Sequence, residues 1–357
     1  MLLSIFILIL SLAYGMSIIY GASFIRSHKA KAESSVADVS LVIVFRNEAE
    51  NLPSLLALLH KYADDCEFVF VDDGSTDGGG ELIEKHLPSA ILLTQKPLGK
   101  KVGLRKAMEI CSKKFIATLD ADVTPTPGWL GQMRAYAENA DYVAGPVLPQ
   151  SSKESFFSLM LSLEWLSLQA MTEASIHAHY PLMSNGANSI FTKDLWEQAQ
   201  LVRKDEALAS GDDVFLLEAA VLLDKRVRHA SVREAAVFTE VPQSLQALWR
   251  QRSRWASKTP SYQRLFPKII AFLVFSVCLM QILAWAISVK LWLMVWMIKL
   301  FTDYAVLNKI SKKYHQSQFM RYYLITALIY PLYVCLIAFD TILRIFTKSK
   351  STNPHWK

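Results

Sequence analysis

Three carboxylate motifs stand in order along this 357-residue chain: Asp72-Asp73 before Gly74-Ser75, Asp120-Ala121-Asp122, and Asp212-Asp213 after Gly211. Two cationic elements accompany them, Gly99-Lys100 and Gln251-Arg252-Ser253-Arg254-Trp255. Hard carboxylate oxygens spaced by one residue suit Mg²⁺ or Mn²⁺ already bound to a diphosphate, because such ions take few protein ligands and complete their shell with phosphate and water. A carboxylate near a hydroxyl can serve as general base, and Asp213 is the candidate. Arg254 can clasp phosphate oxygens through charge-assisted hydrogen bonds. Trp255 offers a flat face for a ring, and Asp72 or Asp73 can accept from a nucleobase imide or a ribose hydroxyl.

Each group also has a plainer reading. Asp72 to Asp77 fits a polar turn with a helix cap, and Asp120 to Asp122 fits a solvated acidic turn. The second lacks an obvious cation nearby, and two like charges after an apolar strand repel unless a metal intervenes. An extended segment would point both carboxylates the same way. Asp212 and Asp213 precede an apolar helical run, where carboxylates stabilise the helix start by roughly 0.3–1 kcal/mol; one could cap while the other faces a substrate. Residues 251–255 fit an amphipathic interfacial helix. Asn185-Gly186-Ala187-Asn188 suits either a close-fitting pocket or an ordinary turn.

The elements that must position these groups follow from local pattern. Residues 41–45, 68–71, 90–94 and 115–119 are short β-rich runs. Between them lie a helix with Leu52, Leu55, Leu56 and Leu59 on one face and a basic helix over 102–111. This alternation predicts an α/β domain with a mostly parallel sheet. Ligands of such sheets bind beyond the carboxyl ends of the strands, where the acidic groups fall. There is no Gly-x-Gly-x-x-Gly after the first run and no Gly-x-x-x-x-Gly-Lys-Ser/Thr, so dinucleotide and nucleoside-triphosphatase motifs are missing.

Composition places this domain at a membrane. The chain is 52% hydrophobic with mean hydropathy +0.23, which is high for a soluble protein and low for a purely membrane one. Residues 2–25 carry no charge, and about 20 apolar residues cross a bilayer. A cleaved signal would want a basic start and a shorter apolar core, so a transmembrane anchor over 1–25 is expected. Arg26, Lys29 and Lys31 then place the following domain in the cytoplasm. Further apolar stretches cover 269–289, 291–307 and 322–346, the last interrupted by Pro331, Asp340 and Arg344. Three or four spans are compatible with this pattern, and the basic tail of Lys348, Lys350 and Lys357 fits poorly with a fourth. The expected division is an anchor over 1–25, a catalytic domain over 32–266 and a membrane region over 267–347. Residues 156–171, with Glu164 and Trp165, form an apolar helix that lies on the bilayer or in the core. The net charge of +6 is better matched to anionic lipid than to nucleic acid. Cys66, Cys111, Cys278 and Cys335 have no metal spacing and read as buried thiols.

Taken in order, these motifs resemble the membrane-bound family 2 glycosyltransferases, the group of cellulose, chitin and hyaluronan synthases and ceramide glucosyltransferase, in a bacterial form. The likeness runs over residues 39–255, and Gln-x-x-Arg-Trp is its most specific part. It implies a GT-A type fold and an inverting transfer from a nucleotide-sugar donor, at the cytoplasmic face of a bacterial inner membrane. By the same likeness, Asp73 holds the base with Asp72 beside it, and Lys100 lies near the nucleotide. Asp120 and Asp122 form an Asp-x-Asp motif with Asp122 on the metal. Asp213 is the base of an acidic pair with Asp212, and Gln251, Arg254 and Trp255 line the diphosphate and acceptor site; the stretch Ser184-Asn185-Gly186-Ala187-Asn188 also looks like bacterial members of the group. Gly103-Leu104-Arg105 stands where the group often has Ala-Leu-Asn. The expected acceptor is a lipid or lipid-linked glycan. The alternatives are a processive polysaccharide synthase and a non-catalytic membrane scaffold with a nucleotide-binding fold.

Overall fold

The computed structural model describes residues 2–26, 28–151, 155–205, 208 and 211–347. Their contacts divide the chain into two units, each drawn from separated segments: 28–150 with 183–240, and 2–26 with 155–182 and 241–347.

The first unit is the α/β layer. Strands β1 (Val39–Phe45), β2 (Glu67–Asp72), β3 (Ile91–Thr94) and β4 (Phe115–Leu119) pair in parallel, joined by helices α2 (Leu52–Leu59), α3 (Gly79–His86) and α4 (Lys100–Ile110). The seven-stranded sheet has the order β3-β2-β1-β4-β8-β6-β9, with β6 (Tyr142–Ala144), β8 (Asn188–Thr192) and β9 (Val227–His229) completing it. Only β8 runs against its neighbours, β4 and β6. Every residue of β1, β4 and β8 is buried, as expected of strands covered on both faces. A small second sheet, β5-β10-β7, joins Val123–Pro125, Val237–Glu240 and Val147–Gln150. The architecture is the GT-A-like, mostly parallel α/β fold.

Helix α4 starts two residues before the expected basic helix and packs very close to the sheet. A Cβ at Gly103 would lie 2.7 Å from Val44 Cγ1 and 3.2 Å from Val71 Cγ1. Glycine at position 103 is therefore a packing requirement of α4 on β1 and β2. Cys66 and Cys111 are free and buried. Burial pushes their thiols up to about 12 and about 11, so neither is ionised near neutral pH.

The second unit is helical: α1 (Leu2–Ser23), α6 (Phe156–His177), α9 (Leu245–Ala256), α10 (Leu265–Ile287), α11 (Val289–Lys313) and α12 (Tyr323–Thr347). Three helical stretches, Leu2–Ser23, Leu265–Ile287 and Ser317–Leu343, are long and apolar enough to cross a membrane. The stretch expected over 291–307 lies in α11 and carries Lys299 and Asp303, which pair one turn apart while Tyr14 of α1 donates to Asp303 Oδ1 at 2.8 Å. The apolar stretch thus carries two charges, a buried Lys299 and a half-buried Asp303, paired beside α1. Helix α1 itself buries Ile7, Ser11, Tyr14 and Gly15, one stripe at helical spacing, and leaves its other faces apolar and exposed. Of the two readings for residues 156–171, burial holds, since Leu159, Ser162, Leu163, Glu164 and Leu166 are all covered. The tail of Lys348, Lys350 and Lys357 lies outside the described residues.

Candidate active site

The carboxyl end of β2 runs directly into Asp72 and Asp73, and here the backbone turns. Asp72 Oδ1 accepts from Ser75 N at 2.7 Å. Gly74 is required at this turn: its φ is +78°, and a Cβ would meet Pro97 Cδ at 2.9 Å. Asp73 is fully buried. Its carboxylate accepts from the Gln95 amide, from Leu98 N at 2.9 Å and from Gly99 N at 3.0 Å. Its oxygens are thus spent on the turn that leads into α4. Buried and supplied with several internal donors, the Asp73 carboxylate holds this turn, the place where a nucleobase contact is expected of it. The neighbouring β1–α2 loop is joined to the same place, a feature the sequence reading missed. Asn47 Oδ1 accepts from Thr76 N at 2.9 Å, and Ala49 N donates to Asp77 Oδ2 at 2.8 Å. A polar Arg46-Asn47-Glu48 directly after an apolar strand was the available signal.

Lys100 is the first residue of α4, and its ammonium binds the Asp120 carboxylate at the end of β4. This ion pair corrects the picture of two uncompensated carboxylates in Asp120-Ala121-Asp122, because the missing cation comes from α4. The motif is also not extended: Ala121 and Asp122 form a turn, with Ala121 buried, Asp120 half-buried and Asp122 exposed. Burial opposes the Lys100 charge, but Asp120, with Asp213 and Asp212 acting through space, raises its pKa above the ordinary value. Lys100 therefore links the second carboxylate group electrostatically to the third.

Among the described residues no group of three or more His, Cys, Asp or Glu side chains gathers to hold a metal. The donor set that is present, an exposed Asp122 beside the Lys100–Asp120 pair, fits an ion that arrives on a diphosphate and needs few protein ligands. It does not build an all-protein cage.

Asp212 and Asp213 open α8 (Asp212–Leu222), with Gly211 at the N-cap in a left-handed conformation and no side-chain cap. The capping alternative is therefore not what these carboxylates do, although both sit in the first turn where the helix end favours negative charge. Successive helical residues point about 100° apart, and the two diverge accordingly. Asp212 turns inward to Arg203 at 3.1 Å, whereas half-exposed Asp213 accepts from Gly186 N at 2.9 Å through Oδ2. Asp213 Oδ1 has no hydrogen-bond partner among the described residues. Ser184 Oγ donates to the Asp213 carbonyl at 3.0 Å and receives Tyr142 Oη at 2.9 Å. Asn185 Oδ1 accepts from Ala187 N, so Asn185 and Gly186 shape the turn that seats Asp213. Asn188 is buried and pins this turn from behind, donating to the Pro146 and Ala235 carbonyls and accepting from Trp129 Nε1.

Gln251, Arg254 and Trp255 belong to α9 in the helical unit. Arg254 is exposed. Arg252 is the buried member of the motif: its guanidinium forks onto Glu164 of α6 at 3.0 and 2.8 Å, meets Tyr333 Oη at 3.1 Å and donates to Gln251 Oε1 at 2.6 Å. It also lies 4.2 Å from the Trp255 ring centroid, and Trp165 packs edge-on against Trp255 at 5.7 Å. Sequence reasoning passed over Arg252 and left Glu164 unassigned. The signal available was a carboxylate inside an otherwise apolar helix, which must have a buried partner.

The comparisons agree with this architecture. Residues 40–196 match the family described as Glycosyl transferase family 2. Over 118 residues the chain is 32% identical to the undecaprenyl-phosphate 4-deoxy-4-formamido-L-arabinose transferase of Pseudomonas fluorescens, a stretch that is 30% of this chain and 35% of that protein. The enzyme of the same description from Salmonella paratyphi A is 30% identical over 131 residues, 34% of this chain and 40% of its own. The chain thus spans little more than a third of the length of these curated relatives. In fold it is similar to the mannosyltransferase PcManGT from Pyrobaculum calidifontis, solved in complex with GDP-Man and Mn²⁺. The TM-score is 0.56 at 16% identity, covering 92% of this chain and 99% of that one. These relatives carry the name of an undecaprenyl-phosphate sugar transferase, whereas the sequence resemblance pointed first to cellulose and chitin synthases.

Proposed function

We propose that this chain, which carries a family 2 glycosyltransferase region on a GT-A-like fold, transfers a sugar from a nucleotide-sugar donor to a lipid acceptor at a membrane surface. The observation that carries the reading is the Lys100–Asp120 ion pair at the carboxyl end of β4, with Asp213 and Asp212 acting on Lys100 through space. It occurs in a chain that also holds three helices long and apolar enough to span a bilayer. The cytoplasmic side is inferred from Arg26, Lys29 and Lys31.

Lys100 neutralises charge near the departing diphosphate, and its pair with Asp120 keeps it aimed there. When bound through Asp122, Mg²⁺ or Mn²⁺ supplies Lewis-acid stabilisation of the leaving group. Gly186 N fixes one oxygen of Asp213, which leaves the other to take the proton of an acceptor hydroxyl as its oxygen attacks the anomeric carbon from the far face. The transition state has oxocarbenium character, as in enzymatic glycoside cleavage. Gln251, Arg254 and Trp255 are assigned to the diphosphate and acceptor on their place in the motif order.

A second acceptor chemistry is favoured by the names of the relatives. A lipid phosphate is mostly dianionic at neutral pH, so its attacking oxygen needs no base. Asp213→Asn separates the two chemistries. With a hydroxyl acceptor, transfer falls ~10²- to 10⁴-fold while donor binding persists. With a polyprenyl phosphate acceptor, most turnover survives. The measurement is nucleoside diphosphate release by the membrane-reconstituted protein, screened over a panel of sugar nucleotides with each acceptor. No release from any donor would overturn the enzyme reading in favour of the scaffold. A product ladder in place of a single product would establish processive synthesis.

A further inference from the structure

Behind the residues just assigned lies a buried ion network that their roles do not use. Lys101, the second residue of α4, is 6% exposed, and its ammonium reaches Asp205 Oδ2 at 2.7 Å, across 104 residues of chain. Arg203 forks onto the same carboxylate, Nε to Oδ1 at 2.8 Å and one terminal nitrogen to Oδ2 at 2.7 Å. That terminal nitrogen also reaches Asp212 Oδ1 at 3.1 Å. The chain of contacts therefore runs from α4 through Lys101, Asp205 and Arg203 to Asp212, and ends on α8. Its two cations and two anions balance, which is what allows four charged groups to stay buried together. Burial alone would raise the Asp205 carboxyl, but the bonds from Arg203 and Lys101 outweigh it and hold it at about 2.

The members at each end are sequence neighbours of the site. Lys101 adjoins Lys100, which binds Asp120, and Asp212 adjoins Asp213, the proposed base. On each helix one residue turns inward to the network and an adjacent one turns outward to the site. Fixing the inner residue fixes the backbone that carries the outer one. Lys and Arg are not interchangeable in this arrangement, since only the planar fork can serve two carboxylates in set directions.

We propose that Arg203 and Asp205 are positioning residues that lock the start of α4 to the start of α8, and so set Lys100 and Asp213 in register for transfer. Resting on the transferase reading, this adds residues that touch neither donor nor acceptor.

The test uses the full chain in lipid nanodiscs, as wild type, Arg203→Gln and Arg203→Lys. In Arg203→Gln, kcat falls about 10²-fold, the size expected when a catalytic group is misplaced by about an ångström, while KM for the sugar nucleotide stays close to wild type. Arg203→Lys keeps the buried charge and folds, but loses the fork, and its kcat lies between the two. Hydrogen exchange gives a readout independent of turnover: peptides covering α8 lose protection in both variants. Wild-type kcat in Arg203→Lys and Arg203→Gln, or unchanged exchange across α8, would overturn the proposal. A fall in kcat and a rise in KM by the same factor would also overturn it, as the mark of general damage. If the wild type shows no transfer with any donor, the transferase reading fails, and the exchange of α8 still decides whether the network holds that helix.

Discussion

Two arginines, Arg203 in the α/β unit and Arg252 in the helical unit, lie buried beside motif residues, and each forks onto a carboxylate. Their surroundings differ. Arg203 shares Asp205 with Lys101 and reaches a second carboxylate, Asp212, so its network contains two charges of each sign. Arg252 stands alone against Glu164, and the rest of its environment is a Tyr333 hydroxyl, a Gln251 amide oxygen and the rings of Trp165 and Trp255. A shared network can lose one cation and keep its remaining carboxylates partly paired. A lone pair among aromatic rings cannot. The comparison therefore separates two uses of the same interaction: Arg252 chiefly holds a helix in place, and Arg203 chiefly holds a geometry.

The largest effect expected follows from that difference. Removing one partner of a buried pair leaves an uncompensated charge and destabilises by about 3–5 kcal/mol. Arg252→Leu strands Glu164 in this way, so the helical unit unfolds at markedly lower denaturant. Arg252→Leu combined with Glu164→Leu removes both charges and recovers most of the loss. Denaturation of the detergent-solubilised protein, followed by tryptophan fluorescence, measures it; Trp165 and Trp255 lie against the substituted residue. A double variant as unstable as the single one would break the comparison, since the pair would then not be the source of the instability.

Acid sharpens the other side. The Asp205 carboxyl is held at about 2, below the unfolded value of about 3.9. A depressed carboxylate contributes stability that is complete above the unfolded pKa and disappears as pH falls through the folded one. The contribution is on the order of 2 kcal/mol, present above about pH 4 and gone by about pH 2. Asp205→Asn removes this term, so its melting temperature falls less than that of the wild type over the same acid window. Parallel melting curves for both proteins from pH 5 to the acid limit would show that the network adds no pH-linked stability.

What the sequence disclosed and what it hid divide along the same line. Strands β1, β2 and β4 were legible because unbroken apolar runs ended abruptly at Asp72 and Asp120, and β8 was not, because Asn188-Ser189 masks the start of an antiparallel strand. The outward residues, Lys100, Asp120 and Asp213, stood out as charged groups beside apolar elements. Lys101, the inward neighbour of Lys100, together with Asp205 and Arg203, looked like ordinary surface charges. Lys101 meets Asp205, and Glu164 meets Arg252, only after folding brings together residues 104 and 88 positions apart. No periodicity within a window of a dozen residues contains that information. At Asp73 the sequence did not disclose the donors of Gln95, Leu98 and Gly99 that fold back onto its carboxylate. Lys299 and Asp303 escaped notice because pairing within one helix lets charges hide in an apolar stretch.

The smallest structural effect is expected at Arg254, and it isolates function from stability. Arg254 is two residues from Arg252 on the same helix but exposed, with none of the buried partners that hold its neighbour. A surface substitution away from caps and networks usually changes stability by no more than about 0.5 kcal/mol. Arg254→Lys should therefore unfold at the wild-type denaturant concentration. A lysine keeps the charge but cannot bind two phosphate oxygens at once, so if Arg254 serves the diphosphate, KM for the sugar nucleotide rises while the fold is untouched. The pairing of results decides the assignment: stability unchanged with weaker donor use marks a ligand contact. Unchanged donor use would assign Arg254 to the amphipathic face of α9, leaving Arg252 as the residue of that motif whose role is established by what it touches.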